Sequence, residues 1–252
     1  IFHLAGGSSV GASFQNPQES FTRTVETTVR LLEWVRNHSA GTRIVCVSSA
    51  AVYGANHPGR IAENVPLTPY SPYGYHKSMM EAVGRSYADN FGQQVALVRL
   101  FSVYGAGLEK QLIWDICCKL AAGASYPLLL GGTGAEIRDW LHVSDAAKLL
   151  WLAKETCSTR CEIINGGTGI GTSIREIAER VCRAWKVSAE VRFSGIARPG
   201  DPESLVADIA RARAIGFEPA VALSDGIQEA VEWFRANRGD SSPTAGPHRH
   251  VR

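Results

Sequence analysis

The sequence predicts an α/β fold in which a parallel sheet is covered by helices on both faces. Two observations predict it. Short apolar, β-branched runs alternate with amphipathic stretches of helical period, which is the rhythm of strand, helix, strand. The strand-like runs are also apolar at nearly every position, as expected of strands buried on both faces.

Taken in order, Ile1 to Ala5 reads as a buried strand. Val25, Val29, Leu32 and Val35 recur at helical spacing and predict a helix over Phe21 to Asn37. Ile44 to Ser48 (IVCVS) is a short β-branched strand. Ser71-Pro72 then starts a helix that runs to about Asn90. Ser71 is its N-cap, and Pro72 takes the first helical position, where a missing N–H costs nothing. Val95 to Phe101 is the next strand, and Gln111 to Ala122 the next helix. Ser144 caps a helix through Lys154, and Cys161 to Asn165 is a strand. Ser173 opens another helix with Glu176 three residues on, a capping box. Ser224 caps a last helix with Ile227, Val231 and Phe234 on one face, stopped at Gly239. Residues 239–252 read as a disordered tail.

Composition narrows the function. Of 252 residues, 45% are hydrophobic and 20% charged, enough apolar material for a core. A formal net charge of +2 falls far short of the basic excess of a dedicated nucleic-acid binder. No apolar run reaches the roughly 18 residues that span a bilayer, so no membrane partner is expected. Cys46, Cys117, Cys118, Cys157, Cys161 and Cys182 form no C-x-x-C pair and no metal-ligand spacing with histidine. They read as reduced, mostly buried thiols of a cytoplasmic protein, with no metal.

Tyr73-Gly74-Tyr75-His76-Lys77 carries the chemistry. Residues four apart share a helix face. A lysine ammonium beside a phenol is expected to favour the phenolate, pulling tyrosine below its usual range near 10. A tyrosine so tuned can take a proton from a hydroxyl while hydride leaves the same carbon. Alone the pair is a weak sign, since such pairs arise by chance on helices. Ser48-Ser49-Ala50-Ala51-Val52-Tyr53-Gly54 adds context. It follows a buried strand, and ligands bind at such strand ends, although a loop of small residues that merely turns the chain has the same appearance.

The order HLAGGSSVGAS (His3 to Ser13), SSAAVYG, SPYGYHK, RLFSVYG (Arg99 to Gly105), RDWLHVSD (Arg138 to Asp145), Asn165-Gly166-Gly167 and RPGD (Arg198 to Asp201) resembles the extended short-chain dehydrogenase/reductases. It looks most like the NAD-dependent nucleotide-sugar epimerase/dehydratase family, and its opening looks closest to UDP-hexose 4-epimerases. The resemblance runs from residue 1 to about 238. It implies a Rossmann-type, doubly wound sheet with a smaller C-terminal substrate-binding lobe. Residues 1–104, with 138–185 contributing, would be the C-terminal part of the NAD-binding domain. Residues 105–137 and 186–238 would form the lobe.

The resemblance also implies roles. Tyr73 would be the base, Lys77 would hold the nicotinamide ribose and tune Tyr73, and Ser49 would occupy the catalytic Ser/Thr place. Ala5 and Gly6 would pass NAD through backbone contacts, with Phe101 near the nicotinamide. Arg138 and Arg198 would bind the substrate's phosphates, for which a planar guanidinium is suited. Asp201 would pair with the nucleotide ribose. Ser102, Gln111 and Leu205 would line the substrate side, Leu205 leaving room for an N-acetyl group at C2. A homodimer formed through the Tyr-Lys helix is implied by the same analogy.

Departures qualify the substrate. Ser8 stands in place of a cofactor-binding lysine, and Thr24 and Ser102 in place of asparagines. The Gly-rich first turn that holds the pyrophosphate is not matched. Gly166-Gly167-Thr168-Gly169-Ile170-Gly171 follows a strand and precedes a helix, yet Thr172 or Ile174 falls where that fingerprint needs Gly or Ala, so it is not expected to bind the dinucleotide. About three strands are expected before Ile1, and a molecule starting there is expected to bind NAD weakly or not at all. Ala50 and Ala51 stand where sugar 4,6-dehydratases carry Asp and Glu. Alanine does no acid–base work, which disfavours dehydration. Epimerisation at C4 through a transient 4-keto sugar is the expected reaction. NAD(P)-dependent reduction of a 4-keto sugar and a catalytically impaired fragment are alternatives. A non-catalytic binding relative, or a redox sensor binding NADP(H), is a further class.

Overall fold

A computed structural model describes residues 1–7, 9–55, 57–123, 127–196 and 201–238. The chain runs β1 (Phe2–His3), α1 (Val10–Gln15), α2 (Pro17–Phe21), α3 (Thr27–His38), β2 (Arg43–Ser49), β3 (Arg60–Ile61), α4 (Pro72–Phe91), β4 (Gln94–Leu100) and β5 (Ser102–Tyr104). It continues through α5 (Gln111–Ala121), β6 (Leu128–Leu130), β7 (Ile137–His142), α6 (Val143–Ala153), β8 (Glu162–Gly166), β9 (Gly171–Ser173) and α7 (Ile174–Ala184). It closes with β10 (Val191–Phe193), β11 (Ser204–Ala207), α8 (Ala210–Ala214) and α9 (Leu223–Arg238).

Strands β1, β2, β4 and β8 form a parallel sheet in that spatial order. Val45 lies beside Phe2 on one side and Ala96 on the other, and Val98 lies beside Ile164. Side chains alternate between faces along a strand. Ile44, Cys46, Val95 and Leu97 pack with Leu32 and Val35 of α3 and Met80 and Ala88 of α4. Val45, Ala96, Val98 and Ile164 pack with Leu149 and Ala153 of α6. Helices on both faces explain why these strands lack a polar alternation.

Beside this sheet, β3, β11, β7 and β5 form a second one in that order, with β9 antiparallel to β7. A third core joins α5, α7 and α9 through Ile116, Leu120, Ile177, Val181, Val231 and Phe234. β6 and β10 pair in parallel next to it.

Helix α4 starts where the sequence signals it. Ser71 Oγ accepts the Gly74 amide at 3.1 Å, Pro72 opens the first turn, and Gly92 ends the helix at φ 67°. Three expectations need correction. The helix expected over Phe21 to Asn37 is broken: α2 begins earlier, at the Asn16 cap, and residues Thr22–Glu26 form a π-turn before α3. The wider turn buries Thr24 and Val25 together, and a π-turn of this kind often marks a functional site. Ser144 is not the cap of α6. His142 is, its Nδ1 accepting the Ser144 amide and pairing with Ser144 Oγ at 2.8 Å. Ser224 likewise lies inside α9, where its hydroxyl bonds Asp225 Oδ1, and the Ala222 carbonyl takes the amides of Asp225 and Gly226 instead. The expected tail, residues 239–252, lies outside the described residues.

Candidate active site

The C-terminal end of β2 and the first two turns of α4 meet at a cleft of about 600 Å³. Gly74 permits the approach, because a Cβ there would stand 2.6 Å from the Ala51 carbonyl oxygen. Ser13 Oγ accepts the Tyr73 amide at 3.0 Å, tying α1 to the same corner.

Ser49, Tyr73 and Lys77 all line the cleft. Lys77 is buried, and its Nζ donates to the Val47 carbonyl at 2.8 Å and lies 6.0 Å from the Tyr73 ring centroid. Burial lowers the Lys77 pKa to about 8, against the pull of Cys46 and Glu81. Tyr73 corrects the electrostatic expectation. Burial raises its pKa, while the Ser49 hydroxyl, as a hydrogen-bond partner, lowers it. Loss of hydration dominates, and the Lys77 charge is directed to a carbonyl.

Gly6, Phe101, Ser102, Gln111, Arg138, Asp201 and Leu205 line the same cleft. Arg138 Nη2 donates to Asp201 Oδ1 at 2.9 Å and its Nη1 to the Ile137 carbonyl at 2.8 Å, so the two groups expected at the nucleotide face each other. Gln111 opens α5 in a left-handed conformation, φ 69°. Ala5 is exposed and is not among the lining residues. Ser8 and Arg198 lie outside the described residues. Thr24 is fully buried and its Oγ1 accepts the Gly7 amide at 2.9 Å, fixing the loop after β1.

The glycine segment after β8 is already engaged. Asp139 takes the Thr168 amide and hydroxyl at 2.7 Å each, the Gly169 amide at 2.9 Å and the Ala207 amide at 3.1 Å. A carboxylate of the chain thus occupies the nest of N–H groups that a phosphate would need. Burial raises the Asp139 pKa despite these four bonds. Gly167 allows the approach, since a Cβ there would lie 2.5 Å from Asp139 Oδ2.

With this geometry in hand, the relatives are informative. The family model described as GDP-mannose 4,6-dehydratase matches residues 1–230. The chain belongs to that family of extended short-chain dehydrogenase/reductases. It is similar to the UDP-glucose 4-epimerase of Corynebacterium glutamicum, 31% identical over 264 residues, covering 97% of this chain and 78% of that protein. Its fold matches a UDP-N-acetylglucosamine 4-epimerase from Methanobrevibacter ruminantium M1 at TM-score 0.86 and 26% identity, over 94% of this chain and 76% of that one. It matches a dTDP-glucose 4,6-dehydratase from Streptomyces venezuelae, solved with NAD, at TM-score 0.86 and 30% identity, over 95% and 74%.

Sequence reasoning missed several residues of this family member's cleft. Tyr70 lines it three residues before Tyr73; burial and Asp201 raise its pKa, and Arg138 opposes them. Its place in the run Pro69-Tyr70-Ser71-Pro72 was the available signal. Lys110 and Leu108 also line the cleft, from the loop before α5. The buried network of Glu81, Arg99 and Tyr53, which reaches the cleft lining at Ser48, was missed as well. Glu81 continues the four-residue spacing of Tyr73 and Lys77, which is visible in the sequence.

Proposed function

We propose that the protein epimerises C4 of a nucleotide-activated hexose through a transient 4-keto sugar, with NAD as cofactor. The observation that carries this reading is the convergence of Ser49, Tyr73 and Lys77 on one cleft whose next two residues, Ala50 and Ala51, also line it and offer no acid or base. The residues present fit the nicotinamide-ribose end of the cofactor. Gly6 has no side chain where a Cβ would crowd Lys77 Nζ at 3.1 Å, and Lys77 keeps donors beyond the one given to Val47. Lys77 would hold the ribose, Ala5 and Gly6 would pass it through backbone, and Phe101 would flank the ring.

When bound, NAD accepts hydride from C4 and returns it. Tyr73 takes the proton of the 4-hydroxyl and gives it back, and Ser49 hydrogen-bonds the same oxygen. Charge on Tyr73 is least costly when the Lys77 ammonium and the Ser49 hydroxyl both face it. Arg138, released from Asp201, would hold the diphosphate, with Arg198 as a second guanidinium. Asp201 would then accept from the nucleotide ribose. Ser102, Gln111 and Leu205 would border the sugar. We assign residues 1–104 with 138–185 to cofactor binding, and 105–137 with 186–238 to the substrate lobe.

Two further points belong to this reading. Val29 on α3 and Tyr75 and Met79 on α4 are exposed apolar side chains on neighbouring helices, which supports a homodimer through these helices. Among the described residues no helix is long and apolar enough to cross a membrane, and the six unpaired thiols support a cytoplasmic location.

The test incubates the protein and NAD with a panel of UDP-, GDP- and dTDP-hexoses, following 340 nm absorbance and product sugar identity. A C4 epimer formed with no net change at 340 nm supports the reading. Stoichiometric NADH formation with release of a 4-keto sugar, the reverse of a 4-keto reduction, identifies a net oxidoreductase instead, and a 4-keto-6-deoxy product identifies a dehydratase.

A further inference from the structure

Tyr73, Lys77 and Glu81 stand at four-residue intervals on α4, and they meet three consecutive residues of β2. Ser49 lines the cleft with Tyr73 and offsets part of the rise in its pKa, the Val47 carbonyl accepts Lys77 Nζ at 2.8 Å, and Ser48 Oγ donates to Glu81 Oε1 at 2.5 Å. Glu81 does not line the cleft; it is 4% exposed beneath it. Arg99 grips the same carboxylate through Nε at 2.9 Å and Nη2 at 2.7 Å. Arg99 is itself held by Tyr53 OH and the Glu63 carbonyl, and Tyr53 OH donates to Asn165 at 2.6 Å. The carboxylate therefore joins α4, β2 and, through Arg99 and Tyr53, β4 and β8.

A buried ion pair is poor evidence for stability, because desolvation offsets most of the Coulomb gain. A pair needed only to close the core would not require the bond to Ser48, the neighbour of Ser49, or its place one turn beyond Lys77. We propose that Glu81 is a positioning residue for the reaction: clamped by Arg99 and Ser48, it fixes the seating of α4 on β2 and provides the negative charge that keeps the buried Lys77 ammonium protonated. The proposal rests on the roles given above to Tyr73 and Lys77.

The groups facing Lys77 single out this carboxylate. From β1, His3 is held below its usual pKa by burial and by Lys77 itself, so it is neutral at pH 7. From β2, the Cys46 thiol is pushed up to about 12 by burial, so it adds no charge at neutral pH. On α4, Tyr73 is raised by burial. Gly6, whose Cβ would stand 3.1 Å from Lys77 Nζ, is uncharged. Among the described residues, that leaves the carboxylate ion-paired to Arg99 as the anion acting on Lys77.

The first test is free of substrate and cofactor. Lysine 13Cε NMR follows the Lys77 titration, with Lys77→Arg assigning the resonance. Glu81→Gln is expected to move the midpoint down by about one pH unit, and Glu81→Asp, which keeps the charge, to restore it. In the active protein the alkaline limb of kcat moves with the midpoint, so kcat at pH 8.5 falls by up to about tenfold while KM for the nucleotide sugar stays within about twofold. A midpoint unmoved by Glu81→Gln, or a loss of kcat with the limb in place, overturns the proposal. Should Glu81→Gln fail to fold, Ser48→Ala takes its place: a kcat lowered by about threefold or more at unchanged KM supports the proposal, and parental kcat overturns it. An inactive protein whose Lys77 midpoint still moves contradicts the catalytic reading alone. An active one whose midpoint stays put contradicts the role of Glu81 alone.

Discussion

Replacing Lys77 with methionine is expected to stabilise the chain at neutral pH in the absence of cofactor. Lys77 is 4% exposed, and the Val47 carbonyl at 2.8 Å is the oxygen its ammonium meets. Burial lowers its pKa from 10.5 to about 8. The unfolded chain thus holds this proton more tightly than the folded one. The cost of a buried charge is fully present below pH 8, shrinks as pH rises from 8 to 10.5, and is absent above that window. At about 1.4 kcal/mol per pH unit, the penalty is about 3 kcal/mol at pH 7 and under about 1 kcal/mol at pH 10. Methionine matches the length of the aliphatic stem. The lost bond to Val47 costs about 1 kcal/mol. The net gain is about 2 kcal/mol at pH 7 and close to zero at pH 10. Urea unfolding of parent and variant at both pH values measures it. A variant less stable than the parent at pH 7, or a difference that does not change with pH, refutes the reasoning.

Tyr73→Phe is expected to lower kcat by about two to four orders of magnitude with little change in KM, since it removes the proton acceptor and leaves the ring; steady-state kinetics decide it. Leu205→Tyr is expected to reduce turnover of an acetamido sugar more than of its 2-hydroxy counterpart, because Leu205 borders the cleft and tyrosine would fill the room beside C2. Full activity on the acetamido sugar would contradict that placement. Gly167→Ala is expected to destabilise the fold by about 1–3 kcal/mol in urea unfolding, because its methyl would stand 2.5 Å from Asp139 Oδ2 and 2.7 Å from the Ala207 Cβ.

Local chemistry made much of this molecule readable in advance. Ser71 and Pro72 announce α4 because a cap and a missing N–H act within one turn, and Gly92 ends it for an equally local reason. The runs of β2 and β4 are readable because both faces are buried. What stayed hidden depends on distant partners. The π-turn at Thr22–Glu26 brings Thr24 to the Gly7 amide, a contact across 17 residues. His142 displaces Ser144 as a cap because its ring reaches forward from a strand end, where sequence rules look for a small hydroxyl. The segment Gly166 to Gly171 is glycine-rich without the dinucleotide-binding spacing, and only the fold reveals that Asp139, about thirty residues earlier, accepts its amides. Tyr73 teaches the same lesson about electrostatics. Four-residue spacing shows that Lys77 shares its face, yet the balance between burial and that charge is set by the Val47 carbonyl and the depth of the cleft.

The claim at the centre of this account is that hydride leaves C4 and returns to the other face of the same sugar. A UDP-hexose carrying deuterium at C4, incubated with the protein and NAD and examined by mass spectrometry and proton NMR, tests it directly. The account predicts a mixture of both C4 epimers with deuterium retained at C4. Deuterium lost to solvent, or transferred to released NADH without formation of an epimer, would contradict it.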